Sequence, residues 1–243
     1  RRVLENGWYI QGEEVAAFER DFATYTGSTH AVACASGTDA LILALRGLGI
    51  GPGDAVITVS HTAVATVAAI ELAGATPVLV DTDEYWTMSP QALEATLKSW
   101  PAGVPKPKAV IPVHLYGQPA AITEIAAIAA KHNLILIEDN AQAHGATLNG
   151  KMVGRWGKAA AYSLYPTKNL GAIGDGGIVT TDDDTVADTL RALREYGWRE
   201  RYISAIAGMN SRLDPLQAAV LRDKLTALPT DTARRQAIAA RYS

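Results

Sequence analysis

Ser163-Leu164-Tyr165-Pro166-Thr167-Lys168-Asn169-Leu170-Gly171, followed closely by Gly174-Asp175-Gly176-Gly177, carries the most information in this chain. It opens at the end of an apolar run, 159–164, and a second run, 177–181, begins at its far side. One proline and four glycines stand between Tyr165 and Gly177, the latter included. No ordinary crossover helix survives that many breakers, so the final strand is expected to enter its sheet antiparallel. Within the same loop Lys168 sits among aromatic, apolar and glycine residues. Burial disfavours an ammonium and favours the neutral amine that adds to an aldehyde, whereas a lysine on a solvated face is an ordinary surface charge.

Working outward, β-branched runs at 31–35, 55–60, 77–81, 109–115 and 134–138 join these two to give seven candidate strands. Segments of helical periodicity at 38–47, 63–73, 90–100 and 122–132 alternate with them, and Ser89-Pro90 supplies an N-cap followed by proline at the first helical position. Such alternation is the mark of βαβ units, so the expected fold is α/β, with a mostly parallel sheet of about seven strands between helices. After Asp184 only helical patterning follows, at 186–196, 215–228 and 233–242, with no further strand. A helix that starts near Thr232 and reaches Ser243 without a capping glycine predicts a boundary: residues 1–231 form a large domain, and 232–243 begin a helix leading to a small C-terminal domain outside this sequence.

Composition narrows the partners. The 243 residues are 48% hydrophobic and 19% charged with a net charge of −3, so no one-signed field attracts nucleic acid or anionic membrane. The longest apolar stretch, 121–137, is interrupted by Glu124, Lys131 and His132, which predicts no membrane span. A single cysteine, Cys34, excludes an internal disulfide and predicts a reducing compartment, the cytoplasm. The five histidines, 30, 61, 114, 132 and 144, lack metal-ligand spacing, and no metal is predicted. Gly47-Leu48-Gly49-Ile50-Gly51-Pro52-Gly53 imitates a dinucleotide fingerprint, but it follows a helix and precedes a strand, and reads as a helix stop and loop.

Two further stretches carry chemistry. In Cys34-Ala35-Ser36-Gly37-Thr38-Asp39-Ala40-Leu41 a strand gives way to a helix whose first N–H groups, with the hydroxyls of Ser36 and Thr38, suit an anion such as phosphate. Plain N-capping by Ser36 or Thr38 is the simpler use of the same residues. In Leu134-Ile135-Leu136-Ile137-Glu138-Asp139-Asn140 an apolar strand ends in two acids on opposite faces. One can point into a crevice at the sheet edge while the other pairs structurally. Asn140-Ala141-Gln142-Ala143-His144-Gly145 then sets polar side chains at every second position, as a site lining or a solvated loop would.

Taken in order, the turn 36–41, the Glu138-Asp139 strand end, the stretch 163–171 and Asn210-Ser211-Arg212-Leu213-Asp214 resemble the DegT/StrS-type sugar aminotransferases. The similarity also takes in Gly49-Ile50-Gly51-Pro52-Gly53-Asp54, Pro112-Val113-His114-Leu115-Tyr116-Gly117-Gln118 and Gln217-Ala218-Ala219. The resemblance implies a fold-type-I aminotransferase large domain that binds pyridoxal 5'-phosphate, and a homodimer with shared active sites. By position Lys168 matches the Schiff-base lysine, and Asp139 the carboxylate that pairs with the pyridine nitrogen. Gln142 matches the residue packed against the ring, Gly37, Thr38 and Ser163 the phosphate cradle, and Asn210 the asparagine that reaches the partner subunit's phosphate. The implied reaction moves an amino group, with glutamate as the donor, to a nucleotide-linked keto-deoxysugar. Two relatives of different activity stand beside it: a sugar dehydratase using the same cofactor, in which a histidine is expected in place of Lys168, and a non-catalytic regulatory or sensory protein. The sequence departs from the family pattern at Ala63, where many members carry an aromatic residue over the ring.

Overall fold

The computed structural model describes residues 2–242; Arg1 and Ser243, the outer ends of the two predicted domain ranges, lie outside the described residues. In chain order the strands are β1 His30–Cys34, β2 Ala55–Val59, β3 Thr76–Val80, β4 Pro107–Ile111, β5 Ile135–Asp139, β6 Thr147–Leu148, β7 Lys151–Met152, β8 Ala159–Ser163, β9 Gly177–Thr181, β10 Trp198–Glu200 and β11 Ile203–Ser204. The helices are α1 Arg2–Asn6, α2 Glu13–Thr26, α3 Gly37–Gly47, α4 Val64–Leu72, α5 Pro90–Lys98, α6 Ile122–Lys131, α7 Asp184–Leu193 and α8 Pro215–Ala239, with a short 3-10 turn at Leu115–Gly117.

Seven strands form one sheet in the order β1-β9-β8-β5-β4-β2-β3. Parallel pairing joins β3, β2, β4, β5 and β8, while β9 runs antiparallel to both β8 and β1. The strand after the glycine-rich loop therefore enters antiparallel, as its breakers require. Alternate strand residues feed opposite cores: Val32, Ile137 and Ala161 pack under α3, α4 and α7, while Ala33, Leu136 and Ala160 face the helices of the other side. There Phe18 and Phe22 of α2 meet Leu221 and Leu225 of α8, and Leu93 and Ile125 of α5 and α6 cover the β2–β4 end. Burial on both faces explains why the central strands read as unbroken apolar runs.

Three sequence expectations are corrected. Residues past Asp184 are not wholly helical, because β10 and β11 form a small antiparallel ribbon. Its short run of charged and aromatic residues has no apolar alternation to announce it. The predicted break between 215–228 and 233–242 is absent: α8 is one helix with Pro229 inside it. Proline forfeits one backbone hydrogen bond, and the buried face of Ala218, Leu221, Leu225 and Leu228 holds the helix course up to that point. The strand expected to reach 115 stops at Ile111, because Pro112 has no N–H to continue the ladder. The chain then turns through Tyr116, a non-glycine residue at φ 58°. The helix Glu13–Thr26 adds an element for which the strand–helix alternation supplies no expectation. Among the described residues no helix is long and apolar enough to cross a membrane.

Candidate active site

Strands β1, β2, β4, β5 and β8 all point the same way, so the loops after them meet at one edge of the sheet. A cavity of about 230 Å³ lies there, walled by Gly37 and Thr38 after β1, Thr62 and Ala63 after β2, Val113 and Leu115 after β4, Asp139 and Gln142 at the end of β5, Ser163 at the end of β8, and Lys168. Six of the seven residues singled out from sequence thus share one space. Asn210 does not: it is exposed and bridges Glu195, outside the cavity. Its neighbour Ser211 is buried, donating from Oγ to Asp39 at 2.7 Å and accepting from the Ala35 N–H at 3.1 Å, which ties this segment to the turn before α3.

At that turn Ser36 caps α3, its Oγ accepting from the Asp39 N–H at 3.1 Å. The simpler use of Ser36 is therefore real. The N–H groups of Gly37 and Thr38 still have no helical acceptor, since a helix leaves its first donors unpaired. Gly37 has a reason the sequence conceals: a Cβ there would stand 2.6 Å from Cβ of Ser163. The glycine brings helix and strand together, which sets the Ser163 hydroxyl beside the free helix donors. That hydroxyl accepts from the Tyr165 N–H at 3.3 Å, leaving its own proton to donate.

The two acids at the end of β5 have separate duties. Glu138 is fully buried and accepts from the N–H groups of Gly154, Trp156 and Gly157, each at 2.7 Å. Its fourth partner is Nε2 of His114 at 3.1 Å. Because Nδ1 of His114 accepts from the Ala120 N–H, the histidine proton must lie on Nε2 and donate to Glu138. Burial alone would raise Glu138, but His114 and the backbone donors outweigh it and hold the carboxyl below its usual range. Glu138 is a structural knot. Asp139, on the opposite face, meets the cavity and accepts from Thr66 Oγ1 at 2.9 Å and the Ala141 N–H at 3.0 Å. Neither partner carries charge, and burial pushes its carboxyl above the ordinary value. A cation placed in the cavity would relieve that burial penalty.

Lys168 is half-buried rather than enclosed, and no hydrogen bond or ion pair engages its Nζ among the described residues. Its positive charge is felt at Asp139 and at His144, whose imidazole is pushed down to about 4 by burial first and by Lys168 second. Gln142 is fixed by its Oε1, which accepts from the Tyr116 N–H at 2.8 Å. Beside the exposed Ala63, the His61 ring lies 5.8 Å from Trp86 and 6.2 Å from Tyr116, an aromatic group next to the position where the family pattern has its aromatic. Sequence reasoning missed Thr62 and Thr66. Their signal was available, two hydroxyl residues four apart at the start of the helix that follows β2.

Comparison with known proteins agrees with this architecture. The profile of the DegT/DnrJ/EryC1/StrS aminotransferase family matches residues 1–243. The chain is 50% identical over 242 residues to a dTDP-3-amino-3,6-dideoxy-alpha-D-galactopyranose transaminase of Aneurinibacillus thermoaerophilus, covering 99% of this chain and 65% of that protein. It is 48% identical over 242 residues to a dTDP-3-amino-3,4,6-trideoxy-alpha-D-glucose transaminase of Streptomyces venezuelae, covering 99% and 62%. The crystal structure of S. venezuelae DesV in complex with a ketimine intermediate superposes with a TM-score of 0.94 at 48% identity, over 99% of this chain and 64% of that one. The chain thus spans a little under two thirds of the length of these relatives. On a profile match along its whole length and a shared seven-stranded architecture, the chain belongs to the DegT/DnrJ/EryC1/StrS aminotransferase family.

Proposed function

We propose that this protein is a pyridoxal-phosphate-dependent aminotransferase that moves an amino group from an amino acid, glutamate, to the ketone of a nucleotide-linked deoxysugar. One observation carries the reading: an unpartnered amine, Lys168, and a buried carboxylate without a cationic partner, Asp139, line the same small cavity as the unpaired donors of α3. The lining fits pyridoxal phosphate at each of its reactive points. When bound, this group supplies an aldehyde that condenses with amines and a protonated pyridine that draws electrons from the adjacent carbon.

In this reading the N–H groups of Gly37 and Thr38 and the hydroxyl of Ser163 bind the phosphate. Asp139 keeps a proton on the pyridine nitrogen, and Gln142, held by Tyr116, borders the ring. Lys168 would hold the cofactor through its Nζ, and the same amine would serve as the base that takes up and returns the substrate proton. Asn210 reaches the phosphate site of a second subunit. A shared-site homodimer is supported by the exposed cleft of Trp8, Ile10, Trp198, Tyr202 and Arg212 near the Asn210 segment, an aromatic surface of the kind that protein contacts cover. The sugar dehydratase alternative lacks its expected histidine, since Lys168 occupies that position. A regulator would have no chemical use for Lys168 and Asp139 in one cavity.

In the same reading the chain divides near residue 231. Burial along α8 ends at Leu228, which supports a core domain over 1–231 and a segment from 232 directed to a second domain. The buried Cys34 thiol supports a reducing, cytoplasmic setting.

An absorbance spectrum tests the assignment. Protein loaded with pyridoxal phosphate should show a visible band that glutamate bleaches, and borohydride should fix the cofactor at a single lysine. Lys168→Ala should abolish that label; a mutant still labelled at one site would transfer the role to another lysine.

A further inference from the structure

We infer that Thr62 and Thr66 are positioning residues for Asp139, acting through a directed chain of hydroxyl groups that fixes the carboxylate facing the cavity. The inference rests on the pyridine-nitrogen role proposed above for Asp139. Thr66 is fully buried in the first turn of α4, its Oγ1 2.9 Å from Oδ2 of Asp139 and 2.9 Å from Oγ1 of Thr62. Counting protons sets the direction. An ionised carboxylate only accepts, so Thr66 must donate to Asp139, and with its single proton committed it must accept from Thr62. The chain runs Thr62 to Thr66 to Asp139, and each bond polarises the next.

The Ala141 N–H holds the other oxygen, Oδ1, at 3.0 Å. The carboxylate plane is thus clamped from α4 on one side and from the loop after β5 on the other. Burial pushes Asp139 upward, and the Ala141 and Thr66 hydrogen bonds oppose it together with the nearby charges. Removing the Thr66 hydroxyl leaves a buried carboxylate with one donor fewer, and the acid form gains. A neutral acid at this place no longer stabilises a protonated pyridine. Thr62, half-buried and on the cavity wall, spends its proton inward and presents only lone pairs to the cavity.

The test uses the cofactor-free protein first. In an infrared pH titration, the protonated-carboxyl band that disappears in Asp139→Asn reports Asp139. Thr66→Val should move its midpoint to higher pH, Thr66→Ser should restore it, and Thr62→Val should move it the same way by less. Titration with pyridoxal phosphate near neutral pH should then show affinity weakened roughly tenfold in Thr66→Val, as expected for one hydrogen bond to a charged group. That loss should shrink as pH rises and the carboxylate ionises without help. An unmoved midpoint in Thr66→Val, failure of serine to restore it, or an affinity loss equal at every pH would overturn the inference. Should Thr66→Val fail to fold, an unmoved midpoint in Thr62→Val overturns it equally. If Asp139→Asn binds the cofactor as tightly as the wild type, the ring-contact role of Asp139 falls instead, and the infrared midpoints still decide the hydroxyl chain.

Discussion

Adding one methyl group at Gly37 should damage both the fold and the cavity. An alanine Cβ there stands 2.6 Å from Cβ of Ser163, 3.0 Å from its Cα and 3.0 Å from its Oγ. Carbon atoms in contact prefer about 3.5 to 4.0 Å, so helix and strand must part by roughly 1 Å. Neither yields easily, because Ala40, Leu43 and Ala44 of α3 and every residue of β8 are buried. Overpacking of this kind costs about 1 to 3 kcal/mol, and a loss of about 2 kcal/mol lowers Tm by about 4 to 8 °C in a chain of this size. The opposite end of the same helix is the control. At Gly47 an added Cβ lies 2.9 Å from Cδ2 of Leu190, the tip of a flexible side chain. Leu190 can give by a side-chain shift where the β8 backbone at Ser163 cannot, and alanine is the better helix former, so Gly47→Ala should cost clearly less than Gly37→Ala. Thermal and urea unfolding followed by circular dichroism would measure both variants, and titration with pyridoxal phosphate would show whether separation of α3 from β8 weakens binding. Combining Gly37→Ala with Ser163→Gly removes two of the three contacts, and the double-mutant cycle should show a coupling of about 1 kcal/mol. Unchanged melting in Gly37→Ala, or strict additivity with Ser163→Gly, would refute the close-approach argument.

Two further predictions concern His144 and the subunit interface. The His144 imidazole, pushed down to about 4 by burial and Lys168, binds its proton more readily in the unfolded chain, so its contribution to stability is full above about 6.5, the unfolded value, and is lost as pH falls toward 4. Its size across that window is on the order of 3 kcal/mol, and His144→Leu should flatten the acid limb of the urea-unfolding profile between those two pH values by a like amount; an unchanged limb would show that His144 is not buried neutral. If Asn210 serves the partner's phosphate site, mixing Lys168→Ala with Asn210→Ala under subunit exchange should recover about one quarter of wild-type sites, since about half the dimers are mixed and each has one intact site. No recovery after complete exchange would place Asn210 in its own chain's chemistry or outside it.

The central sheet strands were legible because a strand buried on both faces must be apolar throughout, the half-exposed edge strand β3 because of its β-branched and apolar residues, and the antiparallel entry of β9 followed from one proline and four glycines that no crossover helix tolerates. The division of labour between Glu138 and Asp139 was half legible. Alternation puts them on opposite faces, but which face holds the cavity depends on where the loops after β1, β2 and β4 arrive. The β10–β11 ribbon was not legible, because cross-strand pairing and not apolar alternation holds it, and the unbroken course of α8 past Pro229 was not legible, because an interior proline reads as a break. Gly37 shows the same limit at the scale of one atom: its sequence context suggests room for a ligand, yet the atom it makes room for belongs to Ser163. Thr66 and Asp139 lie 73 residues apart, and only the packing of α4 against the end of β5 reveals that one hydroxyl proton has a single place to go. Sequence patterns record what each segment needs from water and from its own backbone; which side chains then meet across the sheet edge is decided by close packing of distant segments, and that is a property of the folded chain.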